Sequence, residues 1–236
     1  MRFPRFFSTD NQKPVKAQAL GWFNAINYMA PASSAGVGNL CPHASAGCIA
    51  LCLGQHSGAA ALYPAVMRSR IAKAQWFMAD RQAFLDEMAR HIDRARRAAR
   101  KARLRLCVRL NGATDIAWEG LAPDVFKSNP RVQFVDYTKS VKRALAHARG
   151  QLPPNYHLTF SHSETNEADC RRVLEAGGSV AVVFAGRFPS TYLGAPVIDG
   201  DKSDLRHLDP RGVVVALSPK GRHAKRDTSG FVVRAP

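Results

Sequence analysis

The chain reads as an α/β protein with the architecture of a TIM-like β/α barrel, complete or partial, in one domain over residues 1–236. Three observations predict this. Short apolar runs alternate with helical intervals, and parallel strands need such long connections. A chain of 236 residues with 46% hydrophobic content can bury one barrel-sized core. Polar residues recur just beyond successive apolar runs, where a barrel places its active face.

Residues 1–19 form a polar N-terminal arm. Leu20-Gly-Trp-Phe-Asn-Ala-Ile-Asn-Tyr-Met then reads as a first strand, followed by a Pro/Ser/Gly turn and a cysteine-rich metal loop over 39–56. Met67, Ile71, Ala74 and Met78 repeat at helical spacing across 63–79, with Pro64 tolerated in the first turn. Asp80 is placed to cap a second helix whose apolar stripe is Phe84, Leu85, Met88, Ile92, Ala95 and Ala99. These methionines and aromatics suit a core and need no cofactor. Strands are expected over 104–110, 132–135, 156–160, 179–184, 195–198 and 213–217. Helices fit 140–148 and 167–176, the latter closed by Gly177-Gly178, where a left-handed residue is needed.

The charge balance is strongly basic: 34 Lys and Arg against 18 Asp and Glu, a formal +16. Such a chain attracts polyanions, nucleic acid first among them. The charge is densest between Met67 and Arg105, with Arg94, Arg96, Arg97, Arg100, Lys101, Arg103 and Arg105 in quick succession. A solvated helix face accounts for such a run equally well. No stretch approaches the twenty apolar residues of a membrane span, so no membrane partner is expected. Five cysteines, three of them clustered, do not suggest a secreted disulfide framework, and a reducing cytoplasm is the expected compartment.

The most specific motif is Cys41-Pro-His-Ala-Ser-Ala-Gly-Cys48-Ile-Ala-Leu-Cys52. Thiolates at C-x6-C-x3-C spacing, with Pro42 and Gly47 in the connecting turns, can converge on one soft-metal centre. Three protein ligands leave a position open, as in a [4Fe–4S] cluster that presents one iron to a small molecule. Adding His43 makes a Cys3His set, the inventory of a zinc site. Unligated buried cysteines are the plainest alternative. Cys107, in a strand-like alternation, and Cys170, in an expected helix, read as packing residues.

If the strands form a barrel, the residues beyond them share one pocket. Asn111, Asp115, Tyr137, Lys139 and His162 are the candidate catalytic lining, and Arg109, Ser161, Glu164, Asp199 and Lys220 the candidate cofactor-binding groups. Taken singly, each has a structural reading: Asn111-Gly112 and Asp199-Gly-Asp suit turns, and Ser163-Glu-Thr-Asn suits a helix cap. His162 can titrate near neutrality, and Lys139, Lys220 and Arg109 can hold a carboxylate or phosphate.

Asn39-Leu-Cys-Pro-His-Ala-Ser-Ala-Gly-Cys-Ile-Ala-Leu-Cys-Leu-Gly, Arg70-Ile-Ala-Lys, Val108-Arg-Leu-Asn-Gly-Ala-Thr-Asp-Ile-Ala-Trp-Glu and Asp199-Gly-Asp-Lys-Ser-Asp-Leu-Arg together resemble the phage gene product 88 family. The resemblance implies a phage or prophage origin, and with it the host cytoplasm. The layout is more distantly similar to radical S-adenosylmethionine enzymes, which place a three-cysteine [4Fe–4S] loop after the first strand of a partial barrel. That superfamily usually has C-x3-C-x2-C, and no Gly-Gly-Glu-like stretch follows the second strand here. The similarity implies a cluster on Cys41, Cys48 and Cys52 with S-adenosylmethionine as cofactor and Asn111, Asp115, Tyr137 and His162 lining the cavity above it; the substrate expected of such an enzyme is a nucleotide, a nucleic acid or a modified protein. The alternative is a basic nucleic-acid-binding protein with a structural zinc or iron–sulfur site.

Overall fold

The computed structural model describes residues 6–9, 16–56 and 58–234; within the expected N-terminal arm, residues 1–5 and 10–15 lie outside the described residues. The chain is a mixed α/β protein built on a ten-stranded sheet. Its strands are β1 (Phe7–Ser8), β2 (Trp22–Asn27), β3 (Arg105–Arg109), β4 (Gln133–Thr138), β5 (Tyr156–Ser161), β6 (Val180–Ala185), β7 (Thr191–Tyr192), β8 (Ala195–Asp199), β9 (Val214–Leu217) and β10 (Val232–Arg234). Their order is β1-β2-β3-β4-β5-β6-β9-β8-β7, so the pairing of the described residues leaves the sheet open between β1 and β7. The run from β2 to β8 is parallel throughout, and only the outermost pairs are antiparallel.

Near-continuous apolar strands follow from burial on both faces. Leu106, Val108, Phe134, Tyr156, Leu158, Phe160, Val180, Val182, Val214 and Ala216 face helices. The alternate residues, including Trp22, Cys107, Val135, Ala181, Val213 and Val215, pack on the other face, where Leu205 and the 3-10 turn Arg206–Leu208 cover part of the sheet. Cys107 and Cys170 are fully buried among apolar side chains, as packing residues should be.

The helices are α1 (Ala46–Ala50), α2 (Gly58–Leu62), α3 (Pro64–Ala79), α4 (Arg81–Lys101), α5 (Trp118–Leu121), α6 (Pro123–Lys127), α7 (Val141–Ala148), α8 (Glu167–Glu175) and α9 (Gly221–Lys225). Asp80 caps α4, its carboxylate accepting from the Ala83 N–H at 3.0 Å, an arrangement worth about 1 kcal/mol. Phe84, Met88, Ile92, Ala95 and Ala99 form the buried stripe of α4. Gly177, at φ +79°, closes α8, and the Gly178 N–H returns to the Val173 carbonyl. None of the helices among the described residues is long and apolar enough to cross a membrane.

Two expectations are corrected. The stripe expected on α3 holds in part: Ala74 is buried and Met67 and Ile71 pack against the core, but Arg70, Lys73 and Phe77 are buried as well and Met78 is exposed. Hydrogen bonding makes this possible, since Lys73 donates to the Phe6 carbonyl at 3.1 Å and to Asn27 Oδ1 at 3.2 Å. Strand β4 extends through Thr138, so Asp136 and Tyr137 belong to the strand, and their side chains alternate across the sheet rather than projecting together from a loop.

One seam in the sheet matters for the site. Strand β5 pairs with β6 only at Val180 and Ala181, and β10 pairs with β6 from Val183 onward. Val183 also pairs with Leu217 of β9, so β10 lies on the β5 side and continues where β5 stops.

Candidate metal centre

Cys41, Cys48 and Cys52 line one cavity of about 130 Å³, together with Ala32, Ala113, Asp115, Tyr137, Lys139 and Ser161 among others. The cavity lies at the carboxyl end of the parallel strands: Ala113–Asp115 follow β3, Tyr137–Lys139 end β4, and Ser161 ends β5. This is the end where parallel sheets present their loops to ligands.

Backbone contacts fix the cysteine loop. The Asp115 N–H donates to the Leu40 carbonyl at 2.9 Å, and the Leu40 N–H to the Ala32 carbonyl at 3.0 Å. Ser45 caps α1, its hydroxyl accepting from the Cys48 N–H at 3.2 Å. Gly54 follows Cys52 closely, and a Cβ there would lie 2.5 Å from the Ala113 side chain. Arg70 donates to the Gly54 carbonyl, and its guanidinium sits 4.6 Å from the Tyr28 ring centre.

Each thiol meets a donor or a cation. The Ala32 N–H points at Cys41 Sγ at 3.2 Å. Lys139 acts on Cys48, while the Gly54 and Gln55 N–H groups and Arg70 act on Cys52. Burial is nevertheless the largest influence on all three. It pushes Cys41 up to about 12 and raises Cys48 and Cys52, so the thiols are neutral at pH 7 before anything binds. Among the described residues, no three His, Cys, Asp or Glu side chains gather closely enough to hold a single metal ion. All three cysteines nevertheless line the same cavity. His43 is exposed and does not line the cavity.

The candidate polar residues separate into groups. Asp115, Tyr137, Lys139 and Ser161 line the cysteine cavity. Lys139 Nζ donates to the His162 carbonyl at 2.8 Å and the Ser161 carbonyl at 3.3 Å. An ammonium has three donors, so one remains for the cavity. Burial lowers the Lys139 pKa, opposed by Cys48 and Glu164. Asp115 is pinned by the Lys139 N–H at 2.8 Å and by Arg143 at 2.6 Å, and Arg143 also forks onto Glu119.

Asn111 supports the site from beneath. Its side chain accepts from Thr114, Ile116 and Trp118 and donates to the Ile116 carbonyl and Asp136. With that set complete, it shapes the 111–118 loop and does not face the cavity. Arg109 is also occupied, donating to the Asn111 carbonyl and stacking 4.8 Å from the Tyr137 ring centre. Asp199 closes a turn by accepting from the Asp201 N–H, and Lys220 pairs with Asp201 at 3.1 Å; neither lines the cavity.

His162 and Glu164 line a second cavity, of about 380 Å³, with Glu167, Tyr192, Thr228 and the β10 edge at Val232–Arg234. It opens beside the seam where β10 replaces β5. His162 is 7% exposed and its Nδ1 has no hydrogen-bond partner among the described residues. Burial, then the Lys139 charge, lowers its pKa, so the imidazole is neutral near pH 7.

Sequence reasoning missed Arg70 and Ser45 as parts of the site. Arg70 carried a signal, a cation spaced three residues from Lys73 along the helix, but its carbonyl partner lies in a loop whose path no periodicity reveals.

The family model described as gene product 88 matches residues 5–235, and the chain belongs to that family, as the resemblance in its motifs implied. No curated protein and no solved structure matches it.

Proposed function

We propose that this member of the phage gene product 88 family is an iron–sulfur protein. In this reading Cys41, Cys48 and Cys52 hold a [4Fe–4S] cluster with one iron open to a small molecule, and the protein is an enzyme of the radical S-adenosylmethionine type acting on a nucleotide or nucleic acid. One observation carries the reading: three thiols surround one strand-end cavity, and each faces its own donor or cation. Thiolates need such neighbours, and hydrogen bonds to sulfur tune a cluster's potential. Three cysteines around one cavity suit a cluster that leaves one iron open better than a structural zinc, which takes four protein ligands.

When bound, the cluster would supply one-electron chemistry and an open coordination position. The protein's own residues do the rest. Lys139 offsets thiolate charge and has a donor left for a carboxylate at the cavity. Asp115, fixed by Arg143, holds the Lys139 backbone in place. The larger neighbouring cavity, with neutral His162 on its wall, gives a substrate room beside the cluster. The sequential parallel order from β2 to β6, with the cavity at the strand ends, is compatible with a partial barrel. A Cys3His zinc site fits less well because His43 is exposed and does not line the cavity that the three cysteines share.

Nucleic-acid binding is supported by a separate observation: Arg94, Arg96, Arg97, Arg100, Lys101 and Arg103 are all exposed. Anaerobic reconstitution with iron and sulfide, followed by electron paramagnetic resonance with and without S-adenosylmethionine, tests the main reading. A reduced-cluster spectrum that shifts on adding S-adenosylmethionine supports it in full. A cluster spectrum that does not shift removes that cofactor, and a chain that takes up no iron removes the cluster.

A further inference from the structure

Glu164 lies 119 residues beyond Ser45 in sequence, yet its carboxylate holds the cysteine turn with both oxygens. Oε2 accepts from the Ser45 hydroxyl at 2.7 Å, and Oε1 accepts from the Gly47 N–H at 2.7 Å. Both are short, charge-assisted contacts. Gly47 is buried, and a Cβ there would meet Glu164 Oε2 at 2.8 Å, so a residue without a side chain is needed for the approach. Burial acts to raise the Glu164 pKa, but the Gly47 N–H and Ser45 hydroxyl outweigh it and hold the group below its ordinary value. Ser45 in turn receives the Cys48 N–H. A continuous chain of hydrogen bonds therefore runs from Glu164 through Ser45 to Cys48.

We infer that Glu164 is a positioning residue: it latches the Ser45–Cys48 turn to the β5–α8 loop and so sets where the Cys48 sulfur stands in the cavity. The inference rests on the reading of that cavity as the cluster site only for its purpose, since the contacts themselves require no metal. Glu164 also lines the second cavity. Arg70 serves the other end of the loop by binding the Gly54 carbonyl beyond Cys52. The cysteine loop is thus held at both ends by long-range contacts.

The test uses the metal-free full-length chain. A maleimide is added and labelling of each cysteine is followed by peptide mass spectrometry, with buried Cys107 and Cys170 as controls for global opening. Glu164→Ala should raise the Cys48 rate about tenfold or more relative to those controls, as loss of charge-assisted hydrogen bonds implies. Glu164→Gln, which can still accept from Gly47 and donate to Ser45, should stay near the wild-type rate. Gly47→Ala, which forces the carboxylate away, should reproduce the effect of Glu164→Ala. A Cys48 rate within about twofold of wild type in both Glu164→Ala and Gly47→Ala overturns the inference, as does equal acceleration of Cys48 and Cys107 in both. Latch-dependent labelling in a chain that takes up no iron would retire the cluster while keeping the latch. Iron uptake with labelling indifferent to Glu164 would do the reverse.

Discussion

The two ends of the parallel sheet carry charge in opposite ways. At the carboxyl end, Lys139, Arg143, Asp115, Glu119 and Glu164 are each held by two or more directed contacts around the cysteine cavity. At the amino end, α4 runs out through Arg94, Arg97, Arg100 and Lys101 into β3, and these side chains stand in solvent. The basic run that dominates the composition therefore lies at the end of the sheet away from the thiols. The densest run of charge and the buried, partnered charges thus occupy different ends of the sheet.

Breaking the buried network should have the largest effect on stability. Arg143→Ala leaves Asp115 and Glu119 without their cation, and both are only 10% and 12% exposed in that pairing. A loss of about 3–5 kcal/mol is expected, read as a lower urea midpoint. Replacing Arg94 and Arg97 together by Gln should change stability by no more than about 0.5 kcal/mol. If the amino end binds nucleic acid, that double substitution lowers the salt slope by about two and leaves iron uptake unchanged.

A pH titration separates two buried groups near the carboxyl end, Lys73 beside Asn27 and Asp136 beside Asn111. Burial and the neighbouring Arg70 push Lys73 down to about 7 from its ordinary 10.5. Between those values the unfolded chain binds the extra proton, so this group's contribution to stability rises with pH and is complete above 10.5. Asp136 acts in the opposite sense: burial lifts it from 3.8 to about 7, so its contribution falls as pH rises across that interval. Chemical denaturation of Lys73→Met should show a flatter stability curve above pH 7 than the wild type. An unchanged slope would mean that Lys73 is charged in place.

Much of the scaffold was legible because it depends on local patterns. The Asp80 cap, the α4 stripe and the Gly177 stop lie within a few residues of what they serve. That Cys41, Cys48 and Cys52 share one cavity was legible from spacing, and the presence there of Lys139, Asp115, Tyr137 and Ser161 from their positions at strand ends. On α3 periodicity found Met67, Ile71 and Ala74 but not the burial of Arg70 and Lys73, which carbonyls from other parts of the chain make possible. Asn111 looked like a pocket residue but completes its hydrogen bonds within the 111–118 loop and with Asp136. The division of the strand-end residues between two cavities depends on β10, a three-residue strand too short to register as a periodic signal.

The most direct measurement is iron and acid-labile sulfide per chain after anaerobic reconstitution, in the wild type and in Cys41→Ala, Cys48→Ala and Cys52→Ala, with Cys107→Ala as control. The account predicts about four irons and four sulfides in the wild type and the control, as a [4Fe–4S] cluster requires, with loss of most of both in each of the three loop variants. Iron and sulfide near zero in the wild type, or retained unchanged when the loop cysteines are replaced, would contradict it.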